Sequence, residues 1–438
     1  MSFVHRALLL SVFLPLTLAA QAEIDVLTLD PSFGGSLAVD SAAKRVYVAN
    51  QFGANTVQAF DTYSLAPAGS AGSGGSLAFA VDVAPTLDRL FVAAGNNLAE
   101  FQASALLYQN GIPMGAMGVA VNRATGQVYS AESSTLWRVD GATFSVVDST
   151  PVAGPACGFN INCVAVNDVT DRVYVVNFGD PGSVEVFDGT TLDWLAAIPA
   201  RYATGIAVDT SLNRIFVAVT DGDNVLVIDG ATNTPIGSIN LGGTAGFLGG
   251  LAADSKRHRL YVARRVTPGS VVIVDASALT VKTTVPLSIP VAQQVAVDPL
   301  SARVFARSET TNQMSVIQDS PPCTASLDLG YAGGRLTMNM VLGTTYNPSQ
   351  FRMWLVTQSG ITSLVNRWIG VVDPPRPISP SFPLPAMGNV GVLMVIDTLQ
   401  PEGYCWAFDS AYTGGAAAPA VDELKARLRR AGVAPRAL

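Results

Sequence analysis

The chain has 438 residues, 26 of them basic and 33 acidic, so its formal net charge at pH 7 is −7. Only 13% of the residues are charged, well below the roughly one quarter of an average soluble domain. The acidic balance excludes the basic surface that nucleic-acid binding requires, and two histidines leave little scope for histidine-based metal or acid–base chemistry. The 40 glycines and 26 prolines divide the hydrophobic content into short runs, which favours many short strands.

Residues 1–22 have the pattern of a secretory signal peptide. Arg6 precedes an apolar run from Ala7 to Ala20, which is shorter than the roughly 20 residues of a membrane span. Ala20-Gln-Ala22 matches the small-x-small cleavage pattern, so Glu23 becomes the mature N-terminus. We therefore predict an exported protein, secreted, periplasmic or at the cell surface, without a transmembrane segment.

Four cysteines follow the predicted cleavage point. An even number of cysteines in an exported protein predicts two disulfides. Proximity along the chain favours the pairs Cys157–Cys163 and Cys323–Cys405.

A short phrase recurs seven times along the chain and predicts the fold. Its first copy reads Gly35-Ser-Leu-Ala-Val-Asp40 and is followed by Tyr47-Val-Ala-Asn50, and a weaker copy reads Ala80-Val-Asp-Val-Ala84. The aromatic residues of the seven copies are Tyr47, Phe91, Tyr129, Tyr174, Phe216, Tyr261 and Phe305. Their spacings of 38 to 45 residues suit a four-stranded blade. The repeat predicts an all-β protein with a seven-bladed β-propeller over residues 23–320.

The last copy lacks a fourth strand, because Gln318-Asp-Ser-Pro-Pro322 interrupts the pattern. A strand candidate, Ile24–Leu29, precedes the first copy. We predict that this N-terminal strand completes the seventh blade and closes the ring, which removes exposed sheet edges.

Two copies carry a family resemblance. Tyr47-Val-Ala-Asn50 and Tyr174-Val-Val-Asn177, each after an Ala-Val-Asp/Asn phrase, resemble the YVTN-type β-propeller repeat, and the resemblance covers about residues 24–318. It implies an exported surface or envelope protein of unassigned activity. Similar propellers serve in lactonases and redox enzymes, so the resemblance specifies architecture better than activity.

The recurring carboxylates are interpreted as turn residues, because Asp at one repeated position satisfies turn amides. They are Asp40, Asp61, Asp140, Asp188, Asp209, Asp229, Asp254, Asp275 and Asp298. His258, the single histidine of the mature chain, falls in a turn and is interpreted as solvated, although any Ser–His–Asp triad would have to use it. The inner strands, such as Val119-Ala-Val121, carry no charge. The sequence therefore predicts no catalytic residue, no cofactor and no metal site.

The loops at one end of the blades differ between repeats, and specificity is expected to reside there. The candidate ligand-binding residues are Asn50, Phe52, Asn177, Asp180, Arg201, Asp221, Asp223, Arg264 and Arg265. As an alternative, the two carboxylates Asp221 and Asp223 bind calcium.

Residues 323–412 predict a small β-sandwich. Strand alternation places Tyr404, Trp406 and Phe408 on one face and Cys405 on the other. We favour burial of the aromatic residues in the core; the alternative is an exposed platform that stacks on sugars. Residues 413–438 are a linker and basic tail, in which 421–430 either frays or contacts anionic envelope polymers as a short helix.

These features predict an exported, non-catalytic binding or surface protein. Its loop face would engage a protein or glycan at the cell envelope. The alternative is a lactonase- or lyase-like propeller enzyme that acts on a small lactone or glycan with arginines and carboxylates of the same loops.

Overall fold

The structure is a computed structural model. The residues that it describes are 21–30, 34–52, 55–72, 77–157, 161–220, 222–243, 247–319, 325–342, 349–357, 359–369, 381–386, 388–398, 404–413 and 421–431. Within these ranges the fold is all-β, with many four-stranded sheets, one α-helix and one 3-10 helix (Pro85–Leu87). The predicted signal peptide lies almost wholly outside them.

Residues 22–318 repeat one order of strands: an inner strand, two middle strands and an outer strand. The chain begins with β1 (Ala22–Thr28). The next two sheets contain β2 (Leu37–Asp40), β3 (Arg45–Ala49), β4 (Val57–Asp61) and β5 (Pro67–Ala71), then β6 (Ala80–Ala84), β7 (Arg89–Ala93), β8 (Leu98–Gln102) and β9 (Leu107–Ile112).

A seven-stranded sheet follows, in which a single bridge between Ala156 and Asn177 joins two repeats. It contains β10 (Gly118–Val121), β11 (Gln127–Asp140), β12 (Ser145–Ala156), β13 (Val164–Asn167), β14 (Arg172–Asn177), β15 (Ser183–Asp188) and β16 (Trp194–Pro199). The continuous strand β11 occupies the place of two middle strands, because it pairs with β10 through one part and with β12 through the other.

The remaining sheets of this region have four strands each. Two of them contain β17 (Ala203–Asp209), β18 (Arg214–Val219), β19 (Asn224–Asp229) and β20 (Thr234–Asn240), then β21 (Phe247–Asp254), β22 (Arg259–Arg265), β23 (Ser270–Asp275) and β24 (Thr280–Pro286). The last contains β25 (Ala292–Asp298), β26 (Arg303–Ser308), β27 (Gln313–Gln318) and, as its fourth strand, β1.

The N-terminal strand pairs antiparallel with β27, from Ala22 opposite Gln318 to Thr28 opposite Gln313. Leu27 and Leu29 are buried in one apolar cluster with residues of the first sheet and of the last. The first and last repeats therefore share a core to which β1 contributes.

The repeat phrase has a packing role in every copy. Each aromatic residue of the phrase is at most 1% exposed and lies opposite the same inner-strand position, as Tyr47 lies opposite Ala38 and Phe91 opposite Asp82. The inner strands contact one another in the order β2, β6, β10, β13, β17, β21, β25 and again β2. Small residues at the inner strands permit this close approach.

Cys157 and Cys163 lie at disulfide distance, with their Cα atoms 4.9 Å apart, as predicted. The pair packs against the neighbouring inner strand at Gly118, where an added Cβ would lie 2.7 Å from the Cys163 sulfur. Gly118 is therefore needed because the cysteine pair of the next repeat occupies the space of a side chain.

Residues 325–412 form two further sheets. They contain β28 (Ala325–Ala332), β29 (Arg335–Leu342), β30 (Ser349–Val356), β31 (Ile361–Ile369), β32 (Ser381–Pro383), β33 (Asn389–Thr398) and β34 (Tyr404–Tyr412). The strand orders are β28-β29-β32 and β31-β30-β33-β34. Leu327 and Leu336 of the first sheet share a buried cluster with Met353, Leu355 and Val392 of the second.

The helix α1 (Val421–Arg430) packs on the opposite face of the four-stranded sheet. Leu424 and Leu428, one turn apart, are fully buried in one cluster with Leu393 and Val395 of β33. The expectation of a frayed segment is wrong for residues 421–430, because burial of the two leucines holds a helix that is too short to be stable alone.

Phe408 packs beneath this helix and not between the two sheets. It lies opposite Leu393 in register and is half-buried, with Lys425 Nζ 5.4 Å from its ring centroid. The expected burial in the sandwich core is therefore wrong for Phe408. Cys323 lies outside the described residues, and the side chains of Tyr404, Cys405 and Trp406 lie outside the described side chains. The pair Cys323–Cys405 and the placement of Tyr404 and Trp406 therefore stay predictions.

Candidate functional site

Antiparallel strands bring two sets of turns to opposite ends of the repeats. We call one end the loop face; its described residues are 50–52, 177–183, 201–203, 222–224, 241–243, 247–248, 264–270 and 309. We call the other end the turn face; it consists of the turns that follow the inner strands, 41–44, 85–88, 122–126, 168–171, 210–213, 255–258 and 299–302.

Two of the predicted ligand-binding residues, Asn50 and Asn177, are buried and hydrogen-bonded within the protein. Asn50 and Asn177 are each 2% exposed. Asn177 Nδ2 donates to Ser183 Oγ at 3.3 Å, and Asn50 Oδ1 accepts from Arg307 Nη2 at 3.4 Å. Asp221 lies outside the described residues.

The buried Arg307 ties the last sheet to the first beneath the loop face. Its side chain is fully buried and also donates to the Ala49 carbonyl through Nη1. Burial lowers the pKa of Arg307 to about 9, so the guanidinium remains charged at neutral pH and needs these acceptors.

The predicted charged residues of the loop face are engaged in ion pairs. Arg201 lies 2.9 Å from Asp180, and Arg265 donates through Nε to Glu309 at 2.8 Å. Sequence reasoning missed Glu309, because 44 residues separate it from Arg265.

Asp223 is fully buried and pairs with Arg264. Its Oδ2 also accepts from the Gly243 backbone N–H at 2.8 Å. A cation at the proposed calcium site would compete with this arginine. Among the described residues, no group of three or more His, Cys, Asp or Glu side chains is placed to hold a metal ion.

Aromatic side chains lie on the loop face, and two of them are beside arginines. Phe52 and Phe247 are 51% and 56% exposed. The Arg265 guanidinium carbon lies 5.9 Å from the Phe247 ring centroid, and that of Arg201 lies 4.8 Å from the Tyr202 centroid. Phe247 was not singled out from the sequence. The sequence feature that could have found it is an aromatic residue at the start of an inner strand, because inner strands begin at the loop face, where Arg264 and Arg265 also lie.

The repeated carboxylates occupy turns, as predicted. Asp229 Oδ1, for example, accepts from the N–H groups of Ala231 and Thr232 at 2.9 and 2.8 Å. On the turn face, the residue that ends an inner strand also reaches the next repeat. Asn167 Nδ2 donates to Asn213 Oδ1 at 2.8 Å in this way.

His258 takes the position of Asn213 in the following repeat. Its Nδ1 lies 3.2 Å from Asp209 Oδ2, and its backbone has a left-handed φ of 50°. No carboxylate is adjacent to His258 along the chain, and Asp209 reaches it from the preceding repeat. His258 therefore links two repeats and is not simply a solvated turn residue.

The neighbourhood of His258 contains the residue types of a hydrolase triad in another arrangement. Ser211 Oγ and Asp209 Oδ2 both lie 3.2 Å from the same ring nitrogen, Nδ1. A triad requires the carboxylate on one ring nitrogen and the nucleophile on the other. Ser211 Oγ also donates to Asp209 at 2.8 Å, so this serine is not aligned for activation by His258.

A cavity of about 400 Å³ opens along the inner strands towards the turn face. Its apolar walls include Leu37, Val81, Val164 and Val208. The expectation of an uncharged channel fails at the weak repeat copy, because Asp82 takes the place of the alanine found in the other copies and lines the cavity.

The mouth of this cavity carries charges of both signs. Asp82 Oδ1 lies 3.3 Å from Arg123 Nη2, and Asp82 Oδ2 accepts from the Val121 N–H at 2.8 Å. Asp168 and Lys256 also line the cavity. The tertiary fold assembles this group from four different repeats.

Solved structures share the fold, whereas no family model and no curated protein matches the chain. A structure of U3-55K matches with a TM-score of 0.56 and 11% identity, over 67% of this chain and 98% of that one. Hydrazine synthase from Kuenenia stuttgartiensis matches with a TM-score of 0.56 and 15% identity, over 67% and 97%. A chain of the mitotic checkpoint complex matches with a TM-score of 0.56 and 12% identity, over 73% and 98%.

At these identities the similarity concerns the fold alone. Together with the four-stranded sheets, it shows a fold of the β-propeller type. Among the described residues, the single α-helix is too short to cross a membrane.

Proposed function

We propose that this chain is an exported, non-catalytic binding or surface protein. Its loop face engages a protein or glycan partner at the cell envelope. The observation that carries the proposal is the group of aromatic residues on that face: Phe52 and Phe247 are exposed, Tyr202 is half-buried, and Phe247 and Tyr202 each lie beside an arginine.

The proposed architecture is a seven-bladed propeller over residues 23–320, closed by β1, followed by a β-sandwich over 323–412. Seven sequence repeats, the cyclic order of inner-strand contacts and the pairing of β1 with β27 support it. Closure would protect the ring from strand pairing with other chains.

The loop face has the chemistry of a protein-binding surface. Energetically dominant interface residues are enriched in aromatic residues and arginine. Phe247 and Tyr202 each lie beside an arginine whose guanidinium is held by a carboxylate, Glu309 for Arg265 and Asp180 for Arg201. Such preorganisation reduces the entropy lost when a partner binds.

Export is supported by two features of the chain. Residues 1–22 have the pattern of a signal peptide, and Cys157 and Cys163 lie at disulfide distance, which is typical of oxidising compartments.

Binding to isolated cell envelopes of the producing organism tests the proposal. We expect the double variant Phe52→Ala/Phe247→Ala to lose at least about tenfold in apparent affinity, because both rings project from the loop face. Trp194→Ala is the matched control, since Trp194 is 57% exposed on the outer strand β16. Protease treatment of the envelopes distinguishes a protein partner from a glycan.

Equal binding by the wild type, the double variant and the control would contradict the loop-face proposal. Turnover of a lactone or a uronic-acid glycan that disappears in Arg201→Ala or Arg264→Ala would replace it with the enzymatic alternative.

A further inference from the structure

The cavity along the inner strands has the dimensions and walls of a small-molecule site. Ligand pockets occupy about 300–1,000 Å³ and are mostly apolar with a few placed polar groups. This cavity measures about 400 Å³; ten of its lining residues are apolar, among them Leu37, Val81 and Val208, and seven are polar or charged. An apolar group of a ligand would be removed from water there.

Asp82 supplies a fixed carboxylate at the mouth of the cavity. Its two oxygens are oriented by the Val121 N–H, the Val83 N–H and Arg123. In the other six repeats this position is alanine. Asp82 therefore adds to the channel wall a charge that the other six copies lack at this position.

Asp168 and Lys256 add one further charge of each sign at the mouth of the cavity, beside the pair of Asp82 and Arg123. Asp168 is half-buried and Lys256 is exposed, and both line the cavity. Within the described part of the chain, the side chains of Asp168 and Lys256 form no ion pair with one another or with another residue. Two carboxylates and two cationic groups therefore surround the entrance.

We propose that this cavity binds a small zwitterion of the α-amino-acid type, an apolar amino acid or dipeptide. The cationic groups Lys256 and Arg123 receive the ligand carboxylate, and Asp168 and Asp82 receive its ammonium group. The apolar side chain enters between the inner strands. Because the site lies on the turn face, it is independent of the loop-face function proposed above.

Calorimetric titration of the full chain with three probes tests the charge requirement. L-leucyl-L-leucine carries both charges, its N-acetyl derivative lacks the ammonium group, and its C-terminal amide lacks the carboxylate. We expect the dipeptide to bind saturably and each capped probe to bind at least about tenfold more weakly.

Variants of the rim test the position of the site. Asp168→Asn/Lys256→Gln is expected to weaken dipeptide binding at least about tenfold. The matched control Asp148→Asn/Lys282→Gln removes the same charges from the outer strands β12 and β24 and should bind as the wild type does. Asp82→Ala restores the residue of the other repeats and should also weaken binding.

Three outcomes would overturn the proposal: absence of saturable binding by the dipeptide, equal binding of the capped and uncapped probes, or undiminished binding by the rim double variant. None of them concerns the loop face, so failure here is distinct from failure of the envelope-binding proposal. Circular dichroism of each variant establishes that it is folded.

Discussion

Turn carboxylates act at the scale of single residues. Hydrogen bonds from turn amides lower the pKa values of Asp140, Asp229 and Asp275 below the ordinary value, since these bonds favour the charged form. The repeat position of these residues was sufficient to predict their role, because each accepts hydrogen bonds from the amides of its own turn. The link between His258 and Asp209 was not predictable, because the two residues are 49 positions apart.

We expect Asp229→Ala to lower the free energy of unfolding by about 1 kcal/mol near neutral pH, through loss of hydrogen bonds to the Ala231 and Thr232 amides. The Asp229 contribution is present above the ordinary carboxyl pKa of 3.8. It is lost as the pH falls through the lowered pKa of the folded state. The difference between variant and wild type should therefore shrink in acid.

Urea denaturation from about pH 7 to about pH 3 measures this difference. Asp148→Ala is the control, because Asp148 lies on the exposed outer strand β12 and accepts one hydrogen bond, from the adjacent Ser149 N–H. A constant difference across this range would contradict the assigned cause.

At the scale of elements, strand alternation explains how α1 is held. Met353 and Leu355 of β30 face the other sheet, whereas Trp354 and Val356 belong to the cluster beneath α1. The acidic first turn and basic last turn of α1 also suit the helix dipole. The spacing of Leu424 and Leu428 is visible in the sequence, but the sheet face that receives them is not.

We expect Leu424→Ala to lower the free energy of opening of α1 by about 2–5 kcal/mol, because a fully buried leucine loses its contacts. Amide hydrogen exchange of residues 421–431 should increase strongly, with little change in the sheets of residues 22–318. Glu423→Ala is the control, since Glu423 is exposed and pairs with Arg427 across one turn. Unchanged exchange in the leucine variant would show that α1 does not depend on this contact.

At the scale of the whole molecule, the low charge content has two structural causes. The inner and middle strands are buried on both faces. The outer strands β5, β9, β12, β16, β20 and β24 are largely exposed but contain only two charged residues, Asp148 and Lys282, and the outer strand β1 adds Glu23 and Asp25. Many of the charged residues of the repeats lie at strand ends, as Asp40, Arg45 and Asp61 do.

We expect deletion of residues 23–30 to lower the melting temperature by on the order of 10 °C, because it exposes the edge of β27 and removes Leu27 and Leu29 from a shared core. The point variant Leu27→Ala should cost about 2–5 kcal/mol. Ile24→Ala is the control, since Ile24 is 38% exposed. Differential scanning calorimetry measures all three, and an unchanged melting temperature after the deletion would refute ring closure.

The sequence by itself determined the repeated strands, their turn residues and the Cys157–Cys163 pair, because these features depend on residues close together in the chain. Only the tertiary structure decided which side chains share a site. Glu309 meets Arg265, His258 meets Asp209, and Asp82 enters the channel, because each repeat supplies one or two residues to surfaces shared with its neighbours. The charged cavity mouth is the clearest case, since its members come from four repeats and no local pattern connects them.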